Sequence, residues 1–206
     1  EPDTALRRGR EHLVAYLGVM GPQDGVDLAV RAIAELVHGH GRTDTTFALI
    51  GDGDARADVV DLVRALGVEA FVDLPGRVPD DLLFRYLSTA DVGLSPDPPS
   101  PLNDVSTMNK TMEYMAFGLP VVAFDLPETM VSGGDGAVYA RGGDVPAFAA
   151  AVAALLDDGP LRRAMGAAAR HRVETVLAWP HQAEAYVGVY DRLLGSAPTP
   201  VQTSGE

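Results

Sequence analysis

Short apolar runs alternate along this chain with stretches in which apolar residues recur every three or four positions. The first pattern is typical of buried strands and the second of amphipathic helices. Short loops, many of them rich in glycine or proline, separate the two patterns. The alternation therefore predicts an α/β fold, in which a parallel sheet of at most six strands carries helices on both faces.

The boundaries of the expected elements follow from these patterns. Strands are predicted at residues 12–17, 45–50, 70–74, 91–95, 121–124 and 136–140. Helices are predicted at residues 26–38, 55–66, 79–87, 106–118, 145–156, 161–176 and 181–194, with Asp24 as the N-cap of the first. Ligands of such sheets bind beyond the carboxyl ends of the strands, so the loops after the first four strands are expected to converge at one edge.

The chain is expected to contain one domain, at residues 12–195. The charged residues 1–11, which include Arg7, Arg8 and Arg10, are interpreted as a linker or a lead-in to the first strand. Residues 196–206 are rich in Pro, Ser and Thr, a composition that predicts a disordered tail.

Composition argues against several classes of function. The 29 acidic residues outnumber the 16 basic ones, and the net charge of −13 argues against nucleic acid as a partner. The chain has no cysteine, which excludes disulfides and thiolate metal sites. No apolar run approaches the roughly 18 residues that a membrane span needs. His38 and His40 form a His-x-His pair without an evident third ligand, so no metal site is predicted.

The helix predicted after a proline-rich loop carries the most informative polar residues. Pro98, Pro99 and Pro101 prevent a helix before it, and Ser106 or Thr107 is expected to cap its N-terminus. Methionines at helical spacing give the helix an apolar side. A Gly-Leu-Pro sequence ends it just before the next strand.

Lys110 and Glu113 interrupt the apolar pattern of this helix, and two interpretations remain open. Because they are three residues apart, they are placed to form an ordinary surface ion pair. Alternatively, Lys110 and the free amides of the first turn bind a phosphate, and Glu113 accepts hydrogen bonds from a sugar diol. A cation near the phosphate and an acceptor near the ribose are what a nucleotide needs.

Residues 109–124, with the sequence NKTMEYMAFGLPVVAF, resemble the nucleotide-binding signature of the family 4 (group 1) retaining glycosyltransferases, which have the GT-B fold. In that family a Glu-x7-Glu pair precedes a Met-Ala-x-Gly-x-Pro-Val-Val sequence. Glu113 matches the second glutamate, which implies contact with the ribose of a nucleotide-sugar. The first glutamate falls at Val105 here, and the adjacent Asp104 is interpreted as its replacement.

Three other loops have counterparts in this family. Residues 76–79, with the sequence GRVP, resemble the loop beside the nucleotide base. Residues 18–25 occupy the place of the loop whose Arg and Lys hold the diphosphate, but the corresponding residues are Val19 and Asp24. The Gly-Asp-Gly turn at residues 51–53 is interpreted as a place of tight strand-to-helix packing.

The resemblance implies a specific set of site residues. Those expected to act in catalysis are Asp104, Lys110 and Glu113. Those expected to bind the nucleotide are Gly18, Gly76, Arg77, Val78, Ser106, Thr107, Asn109, Lys110 and Glu113. No metal ion and no separate cofactor are implied, and the donor substrate would be a UDP- or GDP-sugar.

The resemblance covers residues 13–194 and implies the C-terminal half of a GT-B fold, a Rossmann-like domain that binds the donor. Its partner would be an N-terminal, acceptor-binding domain. Trp179 and the final helix resemble the segment that crosses back to that domain. The implied activity is hexosyl transfer in bacterial cell-surface polysaccharide or glycoconjugate synthesis, with this half inactive alone. The implied location is the cytoplasm, with peripheral membrane contact through the missing domain.

The alternative to a glycosyltransferase domain is a non-catalytic, flavodoxin-like nucleotide-binding or interaction module.

Overall fold

Six parallel strands form one sheet in residues 1–195, the part of the chain that this computed structural model describes. The strands are β1 (His12–Leu17), β2 (Thr45–Ile50), β3 (Val72–Gly76), β4 (Val92–Ser95), β5 (Val121–Phe124) and β6 (Ala137–Ala140). The predicted α/β class and parallel sheet are confirmed, and β1, β2 and β5 have the predicted boundaries. The tail predicted at residues 196–206 lies outside the described residues.

The strand order β3-β2-β1-β4-β5-β6 places β1 and β4 side by side at the centre of the sheet. Their pairing aligns Val14 with Val92, although two strand–helix units separate them in the sequence. The chain builds outward from β1 to β3 and then returns to the other side of β1. Loops diverge at such a reversal, and open α/β sheets bind their ligands there. The strand order thus locates a crevice beyond the carboxyl ends of β1 and β4.

Helices cover both faces of the sheet, as predicted. They are α1 (Val26–Ala34), α2 (Arg56–Ala65), α3 (Asp80–Thr89), α4 (Asn109–Ala116), α5 (Pro127–Gly133), α6 (Val145–Asp157), α7 (Gly159–Arg172) and α8 (Trp179–Leu194). One core cluster contains Ile33 of α1 and Val59 of α2, and the other contains Tyr114 of α4 and Ala169 of α7. None of the described helices is both long and apolar enough to cross a membrane.

Several helical segments differ from the prediction. Helix α7 ends at Arg172, and Val173–Leu177 forms a π-helical turn where one helix was predicted at residues 161–176. The α-helical geometry of α1 ends at Ala34, and Glu35–Gly39 continues as a π-helical turn. Helix α5 is absent from the predicted elements because it has only seven residues, and its buried positions are Thr129, Ser132 and Gly133. Such short polar segments carry too little apolar periodicity to indicate a helix.

Residues 1–11 are packed against the sheet. Thr4–Arg7 forms a 3-10 turn, which the side chain of Asp3 caps. Arg7 Nη1 lies 2.7 Å from Asp91 Oδ2, just before β4. The basic residue of this turn therefore holds the lead-in against the amino ends of the central strands.

Candidate functional site

The loops that follow the strands open into a cleft of about 880 Å³ at the carboxyl edge of the sheet. Its lining comes from the loops after β1 and β2, from the loop after β3 with the start of α3, and from the start of α4. The predicted convergence of these loops at one edge is therefore confirmed. This is the place where the strand order indicates a crevice.

Gly51 allows the loops after β1 and β2 to touch beside the cleft. A Cβ atom at this position would overlap the carbonyl oxygen of Gly18, and the φ angle of Gly51 is +142°. The Gly51 N–H donates to the Gly76 carbonyl at 3.0 Å, and the Gly18 N–H donates to the Ile50 carbonyl at 3.1 Å. The tight packing interpreted from the sequence is present, but its partner is the neighbouring loop rather than a helix.

Asp24, in the loop after β1, lines the cleft and does not cap α1 as expected. The N-cap is Gly25, which has a left-handed φ of +66°. The Asp24 carboxylate instead accepts a hydrogen bond from the Gly21 N–H at 3.0 Å and lies 4.0 Å from Lys110 Nζ. Burial raises the pKa of Asp24 above its ordinary value, and these two contacts offset the rise only in part.

Helix α4 begins after Met108, which occupies the N-cap position without a side-chain hydrogen bond. The capping roles predicted for Ser106 and Thr107 are therefore wrong. Asn103–Val105 forms a 3-10 turn before the helix. The Ser106 hydroxyl donates back to the Leu102 carbonyl of this turn at 2.7 Å and does not cap α4. Because no side chain caps it, the N-terminus of α4 keeps amide donors for an anionic ligand.

Lys110 lies in the first turn of α4, with its side chain only 9% exposed. Its Nζ atom is 2.5 Å from Asp97 Oδ1 and 4.0 Å from Asp24 Oδ1, and it lies 5.6 Å from the centre of the Tyr16 ring. Within the described residues, the surface ion pair with Glu113 is not formed. Lys110 shares its charge with two carboxylates, so a phosphate would have to compete with them.

Glu113 lies one turn further along α4 and lines the cleft. It is exposed, and its carboxylate forms no hydrogen bond or ion pair with any described residue. An ionised carboxylate is an acceptor with several free positions. Glu113 is therefore available to accept hydrogen bonds from the hydroxyl groups of a ligand.

Tyr114 fixes the position of α4 over the central strands. The ring is fully buried, and its hydroxyl accepts a hydrogen bond from the Leu17 N–H at 2.7 Å and donates to the Leu94 carbonyl at 3.0 Å. Burial raises the pKa of this hydroxyl well above its ordinary value, so it stays protonated and keeps the donating bond. Because Leu17 ends β1 and Leu94 lies in β4, this one side chain ties Lys110 and Glu113 to the crevice.

The structure brings most of the predicted site residues to the cleft. The predicted residues that line it are Gly18, Arg77, Val78, Thr107, Asn109, Lys110 and Glu113. In the part of the chain that is described, Gly76, Ser106 and Asp104 do not belong to this lining. Asp104 is half-buried in the 3-10 turn before α4. The roles of all these residues in binding or catalysis stay predictions.

Sequence reasoning assigned no site role to Asp97, Asp52 or Asp80. Asp97 holds Lys110, and the other two line the cleft. Their positions in the sequence could have indicated a site role, because each follows a strand at the carboxyl edge of the sheet. Acidic side chains outnumber basic ones in the lining, with Asp24, Asp52, Asp80 and Glu113 against Arg77 and Lys110.

Comparison with known proteins shows the family to which this chain belongs. The family model described as "Glycosyl transferases group 1" matches residues 11–158. The chain belongs to this family. It is 29% identical over 187 residues to a D-inositol 3-phosphate glycosyltransferase of Acidothermus cellulolyticus, covering 86% of this chain and 40% of that protein. It is 30% identical over 155 residues to the alpha-D-kanosaminyltransferase of Streptomyces kanamyceticus, covering 74% and 38%.

Solved structures of GT-B glycosyltransferases share the fold of this group 1 chain. Sucrose-phosphate synthase from Thermosynechococcus elongatus matches with a TM-score of 0.76 and 22% identity, over 95% of this chain and 50% of that one. Anabaena HepE in complex with UDP and glucose matches with a TM-score of 0.75 and 18% identity, over 91% and 52%. The chain therefore spans about half or less of the length of these relatives and structures.

Proposed function

We propose that this chain is the donor-binding domain of a retaining glycosyltransferase and that its cleft binds a nucleoside diphosphate sugar. The observation that carries the proposal is the exposed carboxylate of Glu113, which lies in the cleft one turn into α4 and pairs with no described residue. This places a free acceptor one helical turn from amides that favour an anion. The same two features, an acceptor and an anion site, match the ribose and the diphosphate of a nucleotide.

In this arrangement each part of the donor meets a different loop. Arg77 and Val78 would flank the base, and the Glu113 carboxylate would accept hydrogen bonds from the ribose hydroxyl groups. The diphosphate would lie between Gly18 and the N-terminus of α4, where the helix dipole stabilises the negative charge that develops as the sugar leaves. The positive charge of Lys110 would attract the diphosphate without direct contact, and the ion pair with Asp97 would weaken this attraction. The transfer would use no metal ion.

The rest of the enzyme would come from chain outside these 206 residues. Support for this comes from the partial coverage of both relatives, 40% and 38% of their lengths. We propose that the remaining part supplies the acceptor-binding domain, so this chain alone would bind a UDP- or GDP-sugar and transfer little of its hexosyl group. Synthesis of a bacterial cell-surface polysaccharide or glycoconjugate, at the cytoplasmic face of the membrane, is the proposed setting.

Calorimetric titration tests the proposal. UDP, GDP, ADP and their glucose conjugates are titrated into the 206-residue chain and into Glu113→Ala. Since a charged hydrogen bond contributes about 1.5–3 kcal/mol, the variant should bind the preferred nucleotide at least about tenfold more weakly. Glu184→Ala, which removes an exposed acid of α8 outside the cleft lining, should bind like the wild type. Equal affinity in wild type and Glu113→Ala would exclude the ribose role.

The second candidate function is a non-catalytic, flavodoxin-like nucleotide-binding or interaction module. It is favoured by the ion pair of Lys110 with Asp97 and by the acidic excess of the cleft, since both oppose binding of a diphosphate. The same titration distinguishes the two candidates. A transferase domain should bind a nucleotide-sugar at least as tightly as the matching nucleoside diphosphate. A nucleotide-binding module should gain nothing from the glucose, and an interaction module should bind no member of the panel.

A further inference from the structure

Three potential metal ligands meet at the amino ends of β1 and β2, at the opposite edge of the sheet from the cleft. Glu11, His12 and Asp44 each offer one ligand atom, and these atoms all lie within 4.8 Å of one another. The backbone holds the group together, because the His12 N–H donates to the Asp44 carbonyl at 3.0 Å. The parallel pairing of His12 with Thr45 fixes the same register. The sheet thus sets the backbone positions of His12 and Asp44, and Glu11 directly precedes β1.

His12 is the central member of the group and is nearly buried, with 7% of its surface exposed. Its Nε2 atom faces Glu11 Oε1 at 3.7 Å, and its Nδ1 atom faces Asp91 Oδ2 at 3.5 Å. Among the described residues, Nδ1 has no hydrogen-bond partner although it is buried. A buried imidazole that lacks hydrogen bonds is uncommon in a folded protein, and this one has a carboxylate on each side.

We propose that Glu11, His12 and Asp44 bind a divalent cation of the first transition row, for which Zn²⁺ is the best fit. The ligand set would be His12 Nε2 and one oxygen from each carboxylate, with water in the fourth position. Zn²⁺ bonds to nitrogen and oxygen at about 2.0–2.2 Å, so neighbouring ligand atoms of a tetrahedral site are about 3.3–3.5 Å apart. The separation of 3.7 Å between His12 Nε2 and Glu11 Oε1 is close to this value, whereas the group as a whole spreads to within 4.8 Å, so the Asp44 carboxylate must move closer on binding.

Asp91 completes the arrangement from the other side of the ring. Histidine ligands of metals commonly donate their second N–H to a carboxylate, which fixes the tautomer and makes the ligating nitrogen more basic. Asp91 Oδ2 lies on this side, 3.5 Å from Nδ1, but it already accepts hydrogen bonds from Arg7 at 2.7 Å and from the Leu13 N–H at 3.0 Å, so this role requires the ring to move toward it. A proton on Nδ1 leaves the lone pair of Nε2 directed toward Glu11 and available for the cation.

The local charges also leave room for a cation. Within the described residues, the Glu11 carboxylate pairs with no lysine or arginine, although Arg7 donates to the Glu11 carbonyl. One Asp44 oxygen lies 3.3 Å from Arg42, which also pairs with Asp157, and the other accepts a hydrogen bond from the Thr45 hydroxyl at 3.0 Å. A bound ion would connect residue 11 to the start of β2 and so fasten the lead-in to the sheet. Because the site lies at the opposite edge from the cleft, we assign it to fastening the lead-in rather than to donor binding, although its water-filled fourth position differs from the four protein ligands of typical structural zinc sites.

Titration of the metal-free 206-residue chain with ZnCl2 in a calorimeter tests this site. Glu11→Gln and Asp44→Asn each remove a ligand from a side chain that is at least partly exposed, so both variants should fold. Each should bind Zn²⁺ at least about tenfold more weakly, since even the loss of a group behind a ligand costs about 10–100-fold in affinity. The matched control is the double variant His38→Gln with His40→Gln, which removes the exposed His-x-His pair and should leave the affinity unchanged.

A second measurement tests whether bound Zn²⁺ fastens residues 1–11 to the sheet. Hydrogen exchange of residues 1–11 should slow when Zn²⁺ is added to the wild type or to the His38/His40 control, and should not change in Glu11→Gln. The proposal is overturned if the wild type binds no Zn²⁺. It is also overturned if Glu11→Gln binds as tightly as the wild type, or if binding is lost in the His38/His40 control.

Discussion

The Nζ atom of Lys110 lies 2.5 Å from Asp97 Oδ1, and this ion pair is almost completely buried, with side-chain exposures of 9% and 1%. The other oxygen of Asp97 accepts a hydrogen bond from the Ser95 hydroxyl at 2.8 Å. The Thr111 hydroxyl in turn donates to Ser95 Oγ at 3.3 Å. This chain of contacts joins the end of β4 to the first turn of α4 and so helps to place Glu113 in the cleft.

Asp97→Asn should therefore destabilise the fold strongly. The substitution leaves the buried Lys110 ammonium with only the more distant Asp24 carboxylate, 4.0 Å away. Loss of the near partner of a buried pair costs about 3–5 kcal/mol. Urea unfolding measures the change in the free energy of unfolding. The control is Asp104→Asn, in the same loop and outside the pair, which should change stability by less than about 0.5 kcal/mol. A loss below about 1 kcal/mol for Asp97→Asn would show that the pair is not buried in solution.

Most strands could be predicted from the sequence because a buried parallel strand is a short, continuous apolar run. The exception is β3, whose sequence VDLPG is mostly half-buried and which lies at Val72–Gly76 rather than at residues 70–74. β5 matches its prediction residue for residue, since Gly118 and Pro120 end the helix before it. The residue pattern alone left open whether Glu113 lies in a surface ion pair or in a ligand site, and the resemblance to the group 1 signature favoured the ligand site. The structure places Glu113 in the cleft lining.

The partner of Lys110 could not be predicted in the same way. Asp97 is 13 residues away, in a proline-rich loop whose path depends on tertiary contacts. One of these is the Asn103 side-chain amide, which donates to the Gln23 carbonyl in the loop after β1 at 2.9 Å. A contact across 80 residues leaves no periodic signal in the sequence. The start of α4, and hence its capping residue, depends on the same loop.

The exposed aromatic face of α8 leads to a prediction about association. The Trp179 and Tyr186 rings are 5.5 Å apart and the Tyr186 and Tyr190 rings 5.2 Å apart, although all three are about half exposed or more. Large exposed apolar surfaces usually mark an interface, here with the proposed remainder of the enzyme. The isolated chain should therefore bind a hydrophobic fluorescent dye. Tyr186→Ser with Tyr190→Ser should reduce that fluorescence at least about twofold while the unfolding midpoint stays unchanged.

Unchanged fluorescence in that double variant would locate the dye elsewhere on the chain. The control is Phe84→Ser, which alters another exposed aromatic residue, one that packs at 5.7 Å against Phe117. If this control reduces the signal and the α8 variant does not, the aromatic face of α8 is not the surface that needs covering.

The raised pKa of Asp24 predicts a pH-dependent effect on stability. Burial raises this pKa in the folded chain, so the folded state holds the proton more tightly than the unfolded state does. The ionised carboxylate therefore costs stability above the raised pKa, and the cost disappears as the pH falls through it toward the ordinary value of about 3.9. Asp24→Asn keeps an acceptor for the Gly21 N–H and should be more stable than the wild type at about pH 7.

Urea midpoints at several pH values measure this difference. The advantage of Asp24→Asn should shrink as the pH falls and vanish below the ordinary carboxyl pKa. The control is Asp27→Asn, in the next helix, whose exposed side chain pairs among the described residues with exposed Arg31 and which should change stability by less than about 0.5 kcal/mol. A constant difference between Asp24→Asn and wild type at all pH values would mean that Asp24 does not titrate with a raised pKa.

The last prediction uses the same substitution to locate the diphosphate. Asp24 lies 4.0 Å from Lys110 Nζ and lines the cleft, where its charge would repel an anion and compete for the lysine. At such separations a unit charge contributes about 1–4 kcal/mol, so Asp24→Asn should raise the affinity for UDP or GDP at least about fivefold. The affinity for the uncharged nucleoside should stay the same. Asp27→Asn lies outside the lining and is the matched control. The diphosphate does not lie beside Lys110 if Asp24→Asn strengthens the binding of nucleoside and nucleotide equally, or if it strengthens the binding of neither.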